Sequence, residues 1–222
     1  MLSSRLQTIA SMINSGSIVA DVGTDHALLP IYLVQNSISP KVYAVDNKKG
    51  PLERAKQAVS LADLEQSVIP MLSSGLKDIS HDVNVVVIAG MGVETATEIL
   101  LSAKSCWHQF DQIVLQLNGD QYQLRQFLMS NQFEILDEQT ALDQYISFVL
   151  SVVHVSHPVS YSLKQLMFGP ILLQRKDELL MEFIGEQLAK KEQLLQVVPF
   201  DSHRYHQLKE EIQLYQNVLT GC

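Results

Sequence analysis

The chain has little of what staples small scaffolds together. Only two cysteines, Cys106 and Cys222, occur in 222 residues, far apart and with no C-x-x-C pair. That excludes a disulfide framework and a zinc ribbon, and it predicts two free thiols. Histidine offers no substitute. His154-x-x-His157 and His203-x-x-His206 each bring two imidazoles close in sequence, but no carboxylate or cysteine stands at ligand spacing, so no metal site is expected. Long apolar runs are missing too, none approaching the roughly eighteen residues needed to span a bilayer. The N-terminus lacks the basic-then-apolar layout of a secretory leader. No membrane association is expected, and the chain reads as cytoplasmic.

Basic charge is also scarce. Sixteen Lys and Arg face 24 Asp and Glu, a formal net charge of −8, which excludes a uniformly cationic surface for nucleic acid. The deficit is uneven. Most of the acidic excess falls between residues 63 and 143, whereas Arg5, Lys41, Lys48, Lys49, Arg54 and Lys56 make the first quarter net basic. The C-terminal segment is nearly balanced. Local basic patches are compatible with this distribution, and any nucleic-acid affinity is expected to be modest and steeply salt-dependent.

What the chain does have is a series of apolar runs ending in polar or glycine-containing loops. Residues 17–30 read SIVADVGTDHALLP: an apolar run reaches Asp21, turns at Gly23, passes Thr24, Asp25 and His26, and restarts as a helix-compatible segment. That pattern is a strand-loop-helix junction. A second run, residues 42–45, ends in Asp46 and Asn47, roughly the 20-odd residues downstream at which a nucleotide-binding doubly wound fold places its ribose-binding carboxylate. A dinucleotide site wants G-x-G-x-x-G around its pyrophosphate. Here only Gly23 is present, and the Asp25 carboxylate would repel phosphate. A phosphate-free cofactor carrying an ammonium fits better, which favours S-adenosylmethionine over a nicotinamide dinucleotide. His26 reads either as an acid-base group or as an imidazole hydrogen-bonded to the loop backbone.

Residues 84–92, NVVVIAGMG, read as a fully buried parallel strand opening into a loop at Gly90, Met91 and Gly92. Residues 113–118 form another such strand, ending at Asn118. Both loops fall at carboxyl ends of strands, the edge where open α/β sheets bind ligands. Helical spacing at Leu6, Ile9, Ala10 and Ile13 predicts an N-terminal helix. Further strands are expected near 18–22, 42–46 and 68–72, with helices after Ala27, Pro51, Val93 and Asp120 and with Pro51 at a helix N1 position. Residues 133–140 and 145–155 read as an antiparallel hairpin closing the sheet.

The runs V-A-D-V-G-T-D-H-A from Val19, L-P-I-Y-L from Leu29, G-P-L from Gly50, I-A-G-M-G from Ile88 and L-Q-L-N from Leu115, with L-S-S-R-L from Leu2, closely resemble the TrmK family of bacterial tRNA (adenine(22)-N1)-methyltransferases. The resemblance covers nearly the whole chain. It implies an α/β Rossmann-like class I methyltransferase sheet with a C-terminal α-helical coiled-coil hairpin, the domains spanning 1–160 and 161–222. It also implies S-adenosylmethionine as cofactor and tRNA as partner. Taken with the residue pattern, it nominates Asp21, Gly23, His26, Asp46, Asn47, Ser74, Gly75, Gly90, Met91 and Gly92 for the cofactor. Four positions depart from the family pattern: Leu28 replaces a usual tyrosine, Ser74 a frequent acidic residue, Val93 a glycine after G-M-G, and Leu117 the proline of a common Q-P-N.

Adenine N1 is a neutral ring nitrogen with an available lone pair, so its methylation needs alignment and desolvation more than a strong base. Asp25 is the candidate for stabilising the developing positive charge or for binding the cofactor ammonium, and Asn118 for positioning the base. Met91 and Val93 are expected to line the pocket for a base flipped from its stack. In the C-terminal segment Gly169-Pro170 is expected to end a short helix and start a long one reaching residues 198–199, after which Asp201 or Ser202 caps a second. Tyr205, Leu208, Ile212, Tyr215 and Leu219 would form its seam against Leu180, Ile184, Leu188 and Leu195. That hairpin could grip tRNA or serve packing and dimerisation, the chain being a monomer or weak homodimer. Two rival functions fit the same sequence: a class I methyltransferase acting on a small molecule, and a non-catalytic RNA-binding relative.

Overall fold

The computed structural model describes residues 2–221, which form one compact unit ending at Ser160 and another beginning at Tyr161. Cys222 lies outside the described residues, so the expected pair of free thiols is seen only at Cys106. The first unit is built on a seven-stranded sheet in the order β3-β2-β1-β4-β5-β7-β6. Its strands are β1 (Ile18–Val22), β2 (Lys41–Asp46), β3 (Val68–Leu72), β4 (Val85–Gly92), β5 (Gln112–Asn118), β6 (Phe133–Leu142) and β7 (Ile146–His154). The first five pair in parallel, while β7 runs antiparallel to both β5 and β6. Strand order reverses at β1, so a crevice opens outside the carboxyl ends of β1 and β4.

The helices of this unit are α1 (Ser4–Met12), α2 (Leu28–Gln35), α3 (Lys49–Leu61), α4 (Val93–Ser102) and α5 (Gln121–Ser130). α1 forms because Ser3 caps it, its hydroxyl accepting from the Leu6 amide, and because Ile9, Ala10 and Met12 fall on one buried face. That face packs with Val19, Val85, Val87, Val114 and Val149 on one side of the sheet. Each fully buried aliphatic side chain contributes roughly 1.5–3 kcal/mol, which anchors α1 over the β5–β7–β6 side of the sheet. α3 begins earlier than the proline suggested. Pro51 stands third in the helix rather than first, a position whose amide also lacks an intrahelical partner.

The expected glycine loop after β4 is instead the end of the strand itself. β4 continues through Gly92 across a bulge between Ala89 and Met91 and passes directly into α4. Gly90 takes φ +76° there, the left-handed conformation that glycine adopts without steric penalty.

In the second unit, α6 (Leu163–Phe168) starts with a reciprocal capping box between Ser162 and Gln165. The single long helix expected from Pro170 is broken into α7 (Pro170–Arg175) and α8 (Glu178–Leu195). Lys176 turns left-handed at φ +51°, and the Asp177 carboxylate accepts the Leu180 amide at 2.9 Å to start α8 afresh. Ser202 caps α9 (His203–Thr220). Leu180, Ile184, Leu208, Ile212 and Val218 are buried, but Leu219, assigned to the seam from sequence, is exposed and Val218 takes its place. α8 and α9 are tied by the Lys191–Glu211 ion pair and by the Gln216 amide donating to Glu192 at 3.0 Å. No helix among the described residues is long and apolar enough to cross a membrane, and no group of three or more metal-ligating side chains occurs among them.

Candidate functional site

The β1 loop is laced onto β2 by its backbone. The Gly23 and Thr24 amides both donate to the Val45 carbonyl, at 2.8 and 3.1 Å. Gly23 adopts φ +83°, and a Cβ there would sit 2.1 Å from Met91 Cε. The left-handed conformation favours glycine here, while a Cβ would also oblige the flexible end of Met91 to move. His26 and Ala27 follow at φ +57° and +49°, a left-handed pair that places Ala27 as the N-cap of α2. At the end of β2 the Asp46 carboxylate accepts the Lys48 amide at 2.7 Å, while its carbonyl accepts the Ser73 amide at 3.0 Å. Three loops are thereby drawn together.

They enclose a cleft of about 370 Å³ whose lining includes Gly23, Asp25, Asp46, Asn47, Gly75 and Met91. Six of the residues nominated from sequence thus share one site. Ser73, not Ser74, completes the wall. Its amide pairs with Asp46, and its hydroxyl donates to Asp78 at 2.8 Å, while Ser74 points outward. Arg54, which sequence reasoning did not single out, also lines the cleft and donates from Nε and Nη2 to Asp25 Oδ1 at 3.1 and 2.9 Å. The pair is well exposed, at 45% and 60% for Arg54 and Asp25. Such pairs contribute about 0–1 kcal/mol, so a ligand can exchange for either partner cheaply. His26 is not part of the lining; its Nε2 lies 3.6 Å from Asp25 Oδ1, on the exposed side of the loop. Gly92 serves instead as the N-cap of α4.

A second cluster sits beside the cleft around Gly90. The Gly90 amide donates to Gln116 Oε1 at 3.1 Å, and the Gly90 carbonyl accepts from Asn118 Nδ2 at 3.2 Å. Asn118 therefore belongs with Gly90 and not with the cleft-lining Asp25, so the two candidate catalytic residues occupy neighbouring compartments. Asp21 is 6% exposed and outside the cleft lining. Burial pushes its carboxyl up to about 6, opposed by the Thr24 hydroxyl and the Arg5 charge. The four departures from the family pattern also fall outside the lining. Val93 and Leu117 are core residues, while Leu28 and Ser74 are exposed.

A parallel sheet closed by an antiparallel pair, with a single-glycine loop after β1 and a carboxylate at the end of β2, defines a class I methyltransferase domain. Residues 2–150 match the family model described as a methyltransferase domain. The chain is 33% identical over 138 residues to the tRNA (adenine(22)-N(1))-methyltransferase of Bacillus subtilis (strain 168), a match that spans 62% of this chain and 58% of that protein. Streptococcus pneumoniae Sp1610, solved in complex with S-adenosyl-L-methionine, is 28% identical with a TM-score of 0.88, covering 99% of this chain and 100% of that one. M. capricolum TrmK, solved with S-adenosyl-homocysteine, is 27% identical with a TM-score of 0.86, covering 99% and 98%. The chain belongs to the methyltransferase-domain family, and it is similar over nearly its whole length to the TrmK protein of M. capricolum.

Proposed function

We propose that the protein transfers a methyl group from S-adenosylmethionine to N1 of an adenine in tRNA. The observation that carries this reading is the cleft outside β1 and β4, where Gly23, Asp46 and Met91 meet without a phosphate-cradling glycine run. The likeness to the S. pneumoniae protein over 99% of this chain, helical unit included, supports it, as does the B. subtilis relative's action on tRNA.

The residues present fit the cofactor. When bound, S-adenosylmethionine supplies an electrophilic methyl on a cationic sulfur, which keeps the bonding electron pair and departs as a neutral thioether. Asp46 accepts hydrogen bonds from ribose hydroxyls, as its position at the end of β2 suits. Gly23 keeps the loop wall low, and Gly75 does the same opposite, where a Cβ would meet Ile99 at 3.0 Å. Asp25 receives the ammonium in exchange for one of its contacts with Arg54. On the acceptor side the Gly90 carbonyl fixes the Asn118 amide nitrogen, turning the carboxamide oxygen to accept from the exocyclic amine of adenine. Asn118 would so orient the base, and N1, a neutral nitrogen with a free lone pair, would need no base to remove a proton. Residues 1–160 carry this chemistry, and the helical unit from 161 engages tRNA. The enzyme acts in the cytoplasm as a monomer or weak homodimer.

The test is methyl transfer from labelled S-adenosylmethionine to unmodified bacterial tRNA, with the product nucleoside identified by mass spectrometry. The expected product is 1-methyladenosine, lost in Asp46→Ala and Asn118→Ala. A folded parent that binds S-adenosylhomocysteine yet methylates no tRNA would overturn the assignment.

A further inference from the structure

α1 lies outside the cofactor cleft, yet one of its side chains reaches the acceptor side of the sheet. Arg5 Nη1 donates to Gln116 Oε1 at 2.6 Å, and the same oxygen accepts the Gly90 amide at 3.1 Å. The guanidinium lies directly against the bulge, since a Cβ on Gly90 would meet Nη1 at 3.6 Å. The Gly90 carbonyl, in turn, holds Asn118. A chain of contacts thus runs from Arg5 through Gln116 and Gly90 to the side chain that faces the base. Its far end is anchored. Asp143, at the tip of the β6–β7 hairpin, accepts the Ser4 and Arg5 amides at 2.7 and 3.1 Å and fixes the first turn of α1.

The chemistry of the chain suits a positioning task. A guanidinium is always charged and donates in a rigid plane, so it dictates which end of the Gln116 carboxamide faces Gly90. With that orientation set, the left-handed conformation of Gly90 is held from both its amide and its carbonyl. A bulge re-aims a strand end, and this one ends beside Asn118.

We propose that Arg5 is a positioning residue for the methyl acceptor, holding Gln116, the Gly90 bulge and hence Asn118 in the geometry that presents the base. This rests on the methyl-transfer reading above. The conclusion also separates two parts of the site: cofactor affinity belongs to Gly23, Asp25 and Asp46, whereas the alignment of the acceptor depends on α1.

The test uses the full chain with Arg5→Met and Arg5→Lys. Three quantities are measured: affinity for S-adenosylhomocysteine by calorimetry, kcat and KM with unmodified tRNA, and hydrogen exchange of the Gly90 amide by NMR. Arg5→Met is expected to lower kcat about ten- to a hundredfold, as a small misplacement of reacting groups does. Cofactor-product affinity stays unchanged and Gly90 exchange accelerates. Arg5→Lys, which keeps one cationic donor, should recover part of both effects. A folded Arg5→Met with parental kcat and Gly90 exchange overturns the proposal, as does a rise in KM alone, which would mark Arg5 as a contact to the RNA backbone. If Arg5→Met does not fold, the lysine variant decides by the same two readouts. If the parent fails to methylate tRNA, the methyl-transfer reading falls, and the Gly90 exchange comparison still reports whether Arg5 holds the bulge.

Discussion

Replacing Asp21 by asparagine should stabilise the protein at pH 8 and leave it nearly unchanged at pH 4. Asp21 is 6% exposed, and burial raises its carboxyl from 3.8 to about 6 even though the Thr24 hydroxyl and Arg5 favour the ionised form. A folded-state value above the unfolded one means that the native protein binds this proton more tightly. The group's contribution is therefore fully present below about pH 3.8, declines as pH rises, and is lost above about 6. A shift of about two units corresponds to roughly 3 kcal/mol. Asparagine is close in shape and carries no charge, so Asp21→Asn recovers up to that amount at pH 8. For a chain of this size the gain equals roughly 6–12 °C in melting temperature. The assay is urea unfolding of parent and variant side by side at each pH from 4 to 8, so that titration of the other carboxylates cancels. Two stability curves that stay parallel across that range would refute the reasoning, because they would mean that Asp21 ionises in the folded protein as easily as in the unfolded one.

Arg125 and Glu138 form a 2.8 Å ion pair at 1% and 0% exposure; Glu138→Ala should cost about 3–5 kcal/mol by stranding a buried cation, whereas Arg125→Met with Glu138→Leu should fall close to the parent, both read by denaturant unfolding. Gly23→Ala should weaken S-adenosylhomocysteine binding measured by calorimetry, because the left-handed backbone disfavours a Cβ by about 1–2 kcal/mol and the new methyl collides with Met91; adding Met91→Ala should relieve the collision but not the backbone strain, leaving affinity only partly restored. Asp46→Asn should weaken the same ligand about ten- to a hundredfold through loss of charge-assisted hydrogen bonds, with parental kcat at saturating cofactor.

The centre of the parallel sheet was legible because β4 opens with the unbroken β-branched run Val85-Val86-Val87-Ile88, a pattern that requires burial on both faces. Gly23 and Asp46 were legible for a related reason: one marks a turn after an apolar run and the other ends the next run at a spacing that the fold imposes. Ser73 was not, because choosing it over Ser74 depends on the register of β3 against β2, set by the Ser73 amide on the Asp46 carbonyl. Strand alternation makes a one-residue difference decisive. The break at Lys176 was hidden differently. Arg175-Lys176-Asp177 carries neither glycine nor proline, and only the Asp177 cap on Leu180 shows that a new helix starts there.

Long-range partners escape sequence reading for a physical reason that bears on the mechanism. Arg54 meets Asp25 from 29 residues away, and Arg5 meets Gln116 from 111. Arg54 has no local signal, since a lone arginine on an amphipathic helix most simply reads as a solvated side chain, and Arg5 stands in the L-S-S-R-L run without any sign of which side chain it meets. Their effect comes from the sheet order, which brings the loops after β1 and β2 together and sets α1 beside β5, β6 and β7. Motif runs pick out single residues such as Gly23, Asp46 and Arg5, while the contacts that join them across the sheet come only from topology. Substituting Gly23 or Asp46 should therefore weaken cofactor binding, and substituting Arg5 should leave that binding intact while degrading alignment.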